Sequence, residues 1–132
     1  MPSINWKGFD GSNAAKTMAA RVSITRQRCI SLNQAAYNLL GCPPAVVLLY
    51  AAGGMAIGLR ADSEGTAYSF RVRPMGKGTN YLINATAFMR YHGIDCSRLT
   101  IFRQVAFEDG ILILPFDQAY RKGQRFPSST GA

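Results

Sequence analysis

At 132 residues the chain is one domain's worth, long enough to bury a real core and too short for two independent ones. Fifteen Lys and Arg against seven Asp and Glu leave a net charge of +8, which favours a polyanionic partner, either nucleic acid or an anionic membrane surface. Cys29, Cys42 and Cys96 form no Cys-x-x-Cys pair and have only His92 to join them, so a disulfide framework and a zinc site are both disfavoured; they read as buried or half-buried thiols of a reducing, cytoplasmic protein.

Met1 to Ala20 is polar and mixed, unlike a secretory leader. Residues 1–19 hold Pro, Gly, Ser and Asn without a sustained period and read as an irregular arm, whose Trp6 and Phe9 either fold back on the domain or dock on a partner. From Arg21 the pattern alternates, with Val22 and Ile24 on one side and Arg21, Ser23 and Thr25 on the other. Arg26-Gln27-Arg28 turns the chain, Ile30 and Leu32 resume the alternation, and Asn33 stands where a helix N-cap belongs. Gln34 to Leu40 predicts two helical turns with Ala35, Ala36, Leu39 and Leu40 inward, stopped by Gly41 and Pro43-Pro44.

Cys29 to Leu59 carries no charge, but Asn33, Gln34, Asn38, the proline pair and Gly53-Gly54 interrupt it. Its cleanest apolar stretch, from Ala45 to Leu59, is shorter than the roughly 20 residues of a spanning helix, so no membrane segment is expected. Ala45 to Tyr50 and Met55 to Leu59 read instead as a hairpin turned at Ala51-Ala52-Gly53-Gly54. Arg60 to Thr66 is a polar connector.

The design then repeats. Phe70 and Val72 alternate with outward Arg71 and Arg73, Pro74 to Gly78 makes a turn, and Tyr81 and Ile83 lead to a second cap at Asn84. A helix to about His92 and Gly93 follows, and Leu99 to Val105 is expected to pair with Ile111 to Phe116 through an Asp109-Gly110 turn. Residues 118–132 form a basic tail expected to be flexible. Aligning Ile30 to Tyr37 on Tyr81 to Phe88 pairs Leu32 with Ile83, Asn33 with Asn84, Ala36 with Ala87 and Tyr37 with Phe88. A duplicated unit, 21–62 and 69–117, is too small to bury a core alone, which predicts one pseudo-twofold domain over 20–117, mainly β with two short helices.

No acid lies between Gly11 and Ala61 or between Gly65 and Ile94, whereas Arg21, Arg26 and Arg28 in one half and Arg71, Arg73 and Lys77 in the other belong to equivalent first hairpins. Under a two-fold axis these six charges are expected to form one bipartite positive face with both turns side by side. Five of the six are Arg, which suits bidentate contact to phosphate or guanine edges. The competing account is that outward positions on exposed strands are charged for solubility and edge protection.

Arg28 to Gly41, followed by Val46 to Tyr50 and Met55 to Leu59, resembles the AbrB/MazE/MraZ-type swapped-hairpin barrel family, and the likeness recurs more loosely in the second half, covering about residues 20–117. The resemblance implies a pseudo-twofold AbrB-like swapped-hairpin β-barrel with both copies in one chain, presenting its first hairpins to DNA. The sequence departs from that family in having Asn33 and Asn84 where a Pro commonly follows the second strand, and in retaining only Arg90 among the basic helix residues.

No phosphate-cradling Gly motif, metal-ligand spacing or nucleophile elbow is present and His92 has no evident catalytic partner, so neither an enzyme nor a cofactor is expected. The leading expectation is a double-stranded DNA-binding protein, a small bacterial, plasmid or phage transcriptional regulator or an architectural protein associated with the nucleoid, contacting DNA through Arg21, Arg26, Arg28, Arg71, Arg73, Lys77 and Arg90. The alternative is a non-catalytic protein-interaction module, an adaptor or inhibitor docking through Trp6, Phe9 or the C-terminal tail. Single-stranded nucleic acid is a third reading that needs exposed aromatics, for which Tyr68 and Tyr81 are the nearby residues. The oligomeric state stays open, a homodimer included.

Overall fold

The computed structural model describes residues 15–16, 20–62, 69–76, 79–102 and 104–121. Strands β1 (Ala15–Lys16), β2 (Val22–Ile24) and β3 (Cys29–Asn33) lead into helix α1 (Gln34–Leu39), and β4 (Ala45–Tyr50) and β5 (Ala56–Ala61) complete the first half. The second half runs β6 (Ser69–Met75), β7 (Asn80–Asn84), α2 (Thr86–Tyr91), β8 (Thr100–Phe102), β9 (Ala106–Glu108), β10 (Ile111–Pro115) and β11 (Ala119–Arg121). All described strands join one antiparallel sheet in the order β1-β9-β10-β5-β4-β6-β7-β3-β2-β8-β11. The chain is therefore mainly β with two short helices.

Local chemistry accounts for the first hairpin. Val22, Ile24, Ile30 and Leu32 are buried on one side, and the Thr25 hydroxyl accepts from the amides of Gln27 and Cys29 at 3.2 Å each. Arg28 closes the turn in the left-handed region at φ +64°. The predicted cap of α1 is present: Asn33 Oδ1 accepts from the Ala36 amide at 2.9 Å and from the Arg21 amide at 2.9 Å, so one side chain ties helix, strand end and hairpin together. Between β4 and β5, a Cβ at Gly54, itself at φ +73°, would lie 2.8 Å from Tyr50 Oη, so a side chain there would have to displace the Tyr50 ring end. The β5 strand runs on to Ala61, taking in Arg60 and Ala61 that the sequence assigned to the connector.

The two halves interleave. Strand β4 of the first pairs with β6 of the second, β8 of the second with β2 of the first, and β10 with β5. At the centre β3 pairs antiparallel with β7, with Ile30 opposite Ile83 and Ser31 opposite Leu82. Ser31 and Leu82 are also equivalent positions of the repeat, so the register of the four central strands β2-β3-β7-β6 is symmetric about the point between them. Both halves therefore feed one core, in which Ile30, Leu32, Ile83, Leu59, Leu112 and Leu114 are fully buried. Each such side chain contributes about 1.5–3 kcal/mol through burial.

Four expectations are corrected. The Thr25–Cys29 and Met75–Asn80 ends of the two first hairpins do not lie side by side, because Cys29 faces Asn84 while Asn33 faces Asn80; an antiparallel central pair sends these ends to opposite edges of the face. Leu99 to Val105 does not pair as one strand with Ile111 to Phe116. Instead β9 pairs with β10 beside the Asp109-Gly110 turn, and β8 pairs with β11 beyond a tight turn at Phe116–Gln118. The tail is not flexible from residue 118, since Ala119–Arg121 is strand, while within the 1–19 arm Ala15–Lys16 forms β1, which pairs with β9. Finally, Asn84 is not the N-cap of α2; Ala85 takes that place, and Asn84 accepts from the Thr86 amide at 3.1 Å and hydroxyl at 2.8 Å. Trp6, Phe9, Tyr68, Lys77 and residues 122–132 lie outside the described residues.

Candidate nucleic-acid interface

The outer side of β2-β3-β7-β6 is built by the same alternation that fills the core. Three ladder rows cross it. Ser23, Ser31, Leu82 and Arg73 form the middle one through the axis. On one side lies the row of Arg21, Asn33, Asn80 and Met75, Arg21 accepting from the Asn33 amide at 3.0 Å. On the other, Thr25 donates its amide to Cys29 at 2.8 Å, Cys29 faces Asn84, and Arg71 stands one step beyond the Val72–Ile83 pair. These four strands contain no acidic residue.

Arg21 and Arg71 take matching register positions on β2-β3 and β6-β7, at diagonal corners of this face, and both are exposed. With strands about 4.8 Å apart and a rise of about 3.4 Å per residue, the corners are about 20 Å apart. Arg73 is exposed as well, at the end of the middle row. The structure thus brings Arg21, Arg71 and Arg73 together on one face and sets the other expected contacts apart. Arg26 and Arg28 sit in the turn at one end, and Arg90 is exposed in the last turn of α2, an element separate from the four strands.

The end that carries Arg28 is not purely positive. Asp95 bonds Arg121 at 3.1 Å, and Arg28, Asp95 and Arg121 are the charged neighbours of Cys96. Hydrogen bonds from Ser97, with Arg121 adding to them, hold the Asp95 carboxyl below the usual carboxylate range, and burial pushes the Cys96 thiol up. Asp95 and Arg28 thus share Cys96 as a neighbour, where a purely positive face was expected.

Beside that ion pair lies an open groove of about 510 Å³, lined by Tyr50, Ile94, Phe116 and Ala119 together with Asp95 and Arg121. His92 stacks on Tyr50 with ring centroids 4.1 Å apart and meets Phe88 at 4.6 Å; burial lowers its pKa. Two apolar side chains protrude near the groove, Met55 at 66% exposure and Tyr91 at 85%. Tyr91 is equivalent to Leu40, which is buried, and nothing in the helical spacing separates the two. Tyr81 is half-buried against Tyr37, with rings 3.8 Å apart, so it offers no open stacking surface to a base.

Cys29 is half-buried, Cys96 buried and Cys42 exposed, the last against the expectation of covered thiols; all three are free. Among the described residues no group of three His, Cys, Asp or Glu side chains is placed to hold a metal ion. No helix among them is long and apolar enough to cross a membrane. Comparison with protein-family models, curated proteins and solved structures returns no match to this chain.

Proposed function

We propose that the protein binds double-stranded DNA through the outer face of β2-β3-β7-β6, as a small regulator or architectural protein. The observation that carries this reading is the placement of Arg21 and Arg71 at twofold-related corners of a face without a carboxylate. Each arginine that neutralises a phosphate releases condensed counterions, and a face free of acids repels none of them. The four strands span about 14 Å between outer axes, more than the roughly 12 Å width of a major groove, so the sheet lies across the groove and its arginines reach phosphates rather than base edges. The expected contacts are therefore Arg21, Arg71 and Arg73, and the target is recognised more by backbone than by sequence. The cross-half pairings of β4 with β6 and β8 with β2 support the further proposal that the barrel is of the AbrB-like swapped-hairpin kind with two copies in one chain.

Fluorescence anisotropy with a duplex and a single strand of equal length, at two salt concentrations, tests the reading. Duplex is expected to bind more tightly, and Arg21→Ala and Arg71→Ala each to flatten the log–log salt slope by about 0.9. An unchanged slope in both variants overturns it.

The exposure of Met55 and Tyr91 beside the groove favours a second reading, docking of a protein partner. Met55→Ser and Tyr91→Ser, which leave the four-strand face untouched, separate the two. Loss of a partner with DNA affinity intact supports docking, and DNA affinity that falls only with Arg21→Ala and Arg71→Ala supports the first reading.

A further inference from the structure

We infer that the DNA-binding face is lopsided about its own axis, the β6 side holding one phosphate more than the β2 side, because the twofold mate of Arg73 is Ser23. This rests on the reading that the face binds duplex DNA and adds a polarity to it.

The middle row runs Ser23, Ser31, Leu82, Arg73. The axis passes between its two central members, so its outer members occupy equivalent places, each about 7 Å from the axis. Arg21 and Arg71 balance one another across that axis, whereas a serine hydroxyl opposite Arg73 carries no charge. A duplex laid over the axis therefore meets two cations on the β6 side and one on the β2 side. The difference is chemical and not architectural, since Val22 with Leu32 and Val72 with Ile83 hold β2 and β6 in matching register. Ser23 lies beside Ile101 and is half-buried at its base, and no acid stands in the four strands to capture a cation placed there. An arginine moved from one end of the row to the other should consequently find an equivalent phosphate.

The test uses the full chain and a fluorescein-labelled 20-base-pair duplex of mixed sequence, titrated between about 50 and 200 mM salt. Arg73→Ser is expected to flatten the salt slope by about 0.9, and Ser23→Arg to steepen it by about 0.9, about eightfold in affinity per decade of salt. The double variant S23R/R73S is expected to recover the wild-type slope. A double variant as shallow as Arg73→Ser alone overturns the inference while leaving the proposed function in place. A wild-type chain with no duplex affinity overturns both. Thermal unfolding checks that each variant is folded, and Ser23→Lys, with its slimmer head, carries the same expectation should the Ile101 side fail to admit the guanidinium.

Discussion

Asn33 and Asn84 are equivalent residues that end equivalent strands, yet their side chains do different work: Asn33 Oδ1 accepts from the amide three residues on and from Arg21, while Asn84 Oδ1 accepts from the amide two residues on. The first closes a helix and a hairpin with one oxygen. The second stabilises only its own turn. Asn33→Ala is therefore expected to cost about 1–2 kcal/mol and Asn84→Ala less than about 1 kcal/mol, measured by urea denaturation.

Arg28 occupies a turn position with φ +64°, which glycine adopts freely. Arg28→Gly exchanges relief of strain against added chain entropy and is expected to stay within about 1 kcal/mol of wild type, whereas Arg28→Val, branched at Cβ, should lose about 1–2 kcal/mol. The pair separates the backbone role of this residue from its charge. Chemical denaturation reads the first, and because Arg28 lies off the proposed face neither variant is expected to change the DNA salt slope.

The three consecutive hairpins and the capped first helix were legible because each is written locally: Val22, Ile24, Ile30 and Leu32 alternate, and Asn33 stands before an apolar helical run. The long-range pairings were not. Nothing within either half says that β3 meets β7 head to tail, and that single choice sends the turn ends of the two first hairpins to opposite edges of the face. Leu99 to Val105 reads as one strand by composition, but Thr100–Phe102 and Ala106–Glu108 serve different neighbours because the tight turn at Phe116–Gln118 breaks the partner strand. Strand β1, two residues long, has no period to read. Of the expected contacts, Arg21, Arg71 and Arg73 follow from alternation alone and fall on one face, whereas the turn and helix residues depended on how the halves met.

Ile30 and Ile83 face one another across the axis with no solvent exposure at either. Ile83→Ala is expected to cost about 2–5 kcal/mol. Since both halves share this core, unfolding should remain a single transition, with the calorimetric and van't Hoff enthalpies falling together. Two separate transitions would show that the halves fold independently.

His92 is held with its pKa below the ordinary value by burial against Tyr50 and Phe88. A base whose folded pKa is depressed leaves the unfolded chain binding more protons as pH falls through the ordinary value, so stability is full above it and declines below it. Wild type should lose thermal stability between about pH 7 and pH 5, and His92→Phe, which keeps a ring on Tyr50 but cannot titrate, should lose less over that window. Equal losses in both proteins would remove His92 from the pH response.

The split hairpin of residues 100–121 has a consequence for biosynthesis. Thr100–Phe102 covers β2 and Ile111–Pro115 covers β5, so during translation β2 stays uncovered until the first of these has left the ribosome and β5 until the second has. The nascent protein is a ribbon awaiting its clasp, and a nonsense codon upstream of Ile111 releases a chain with β5 bare and open to association with its neighbours.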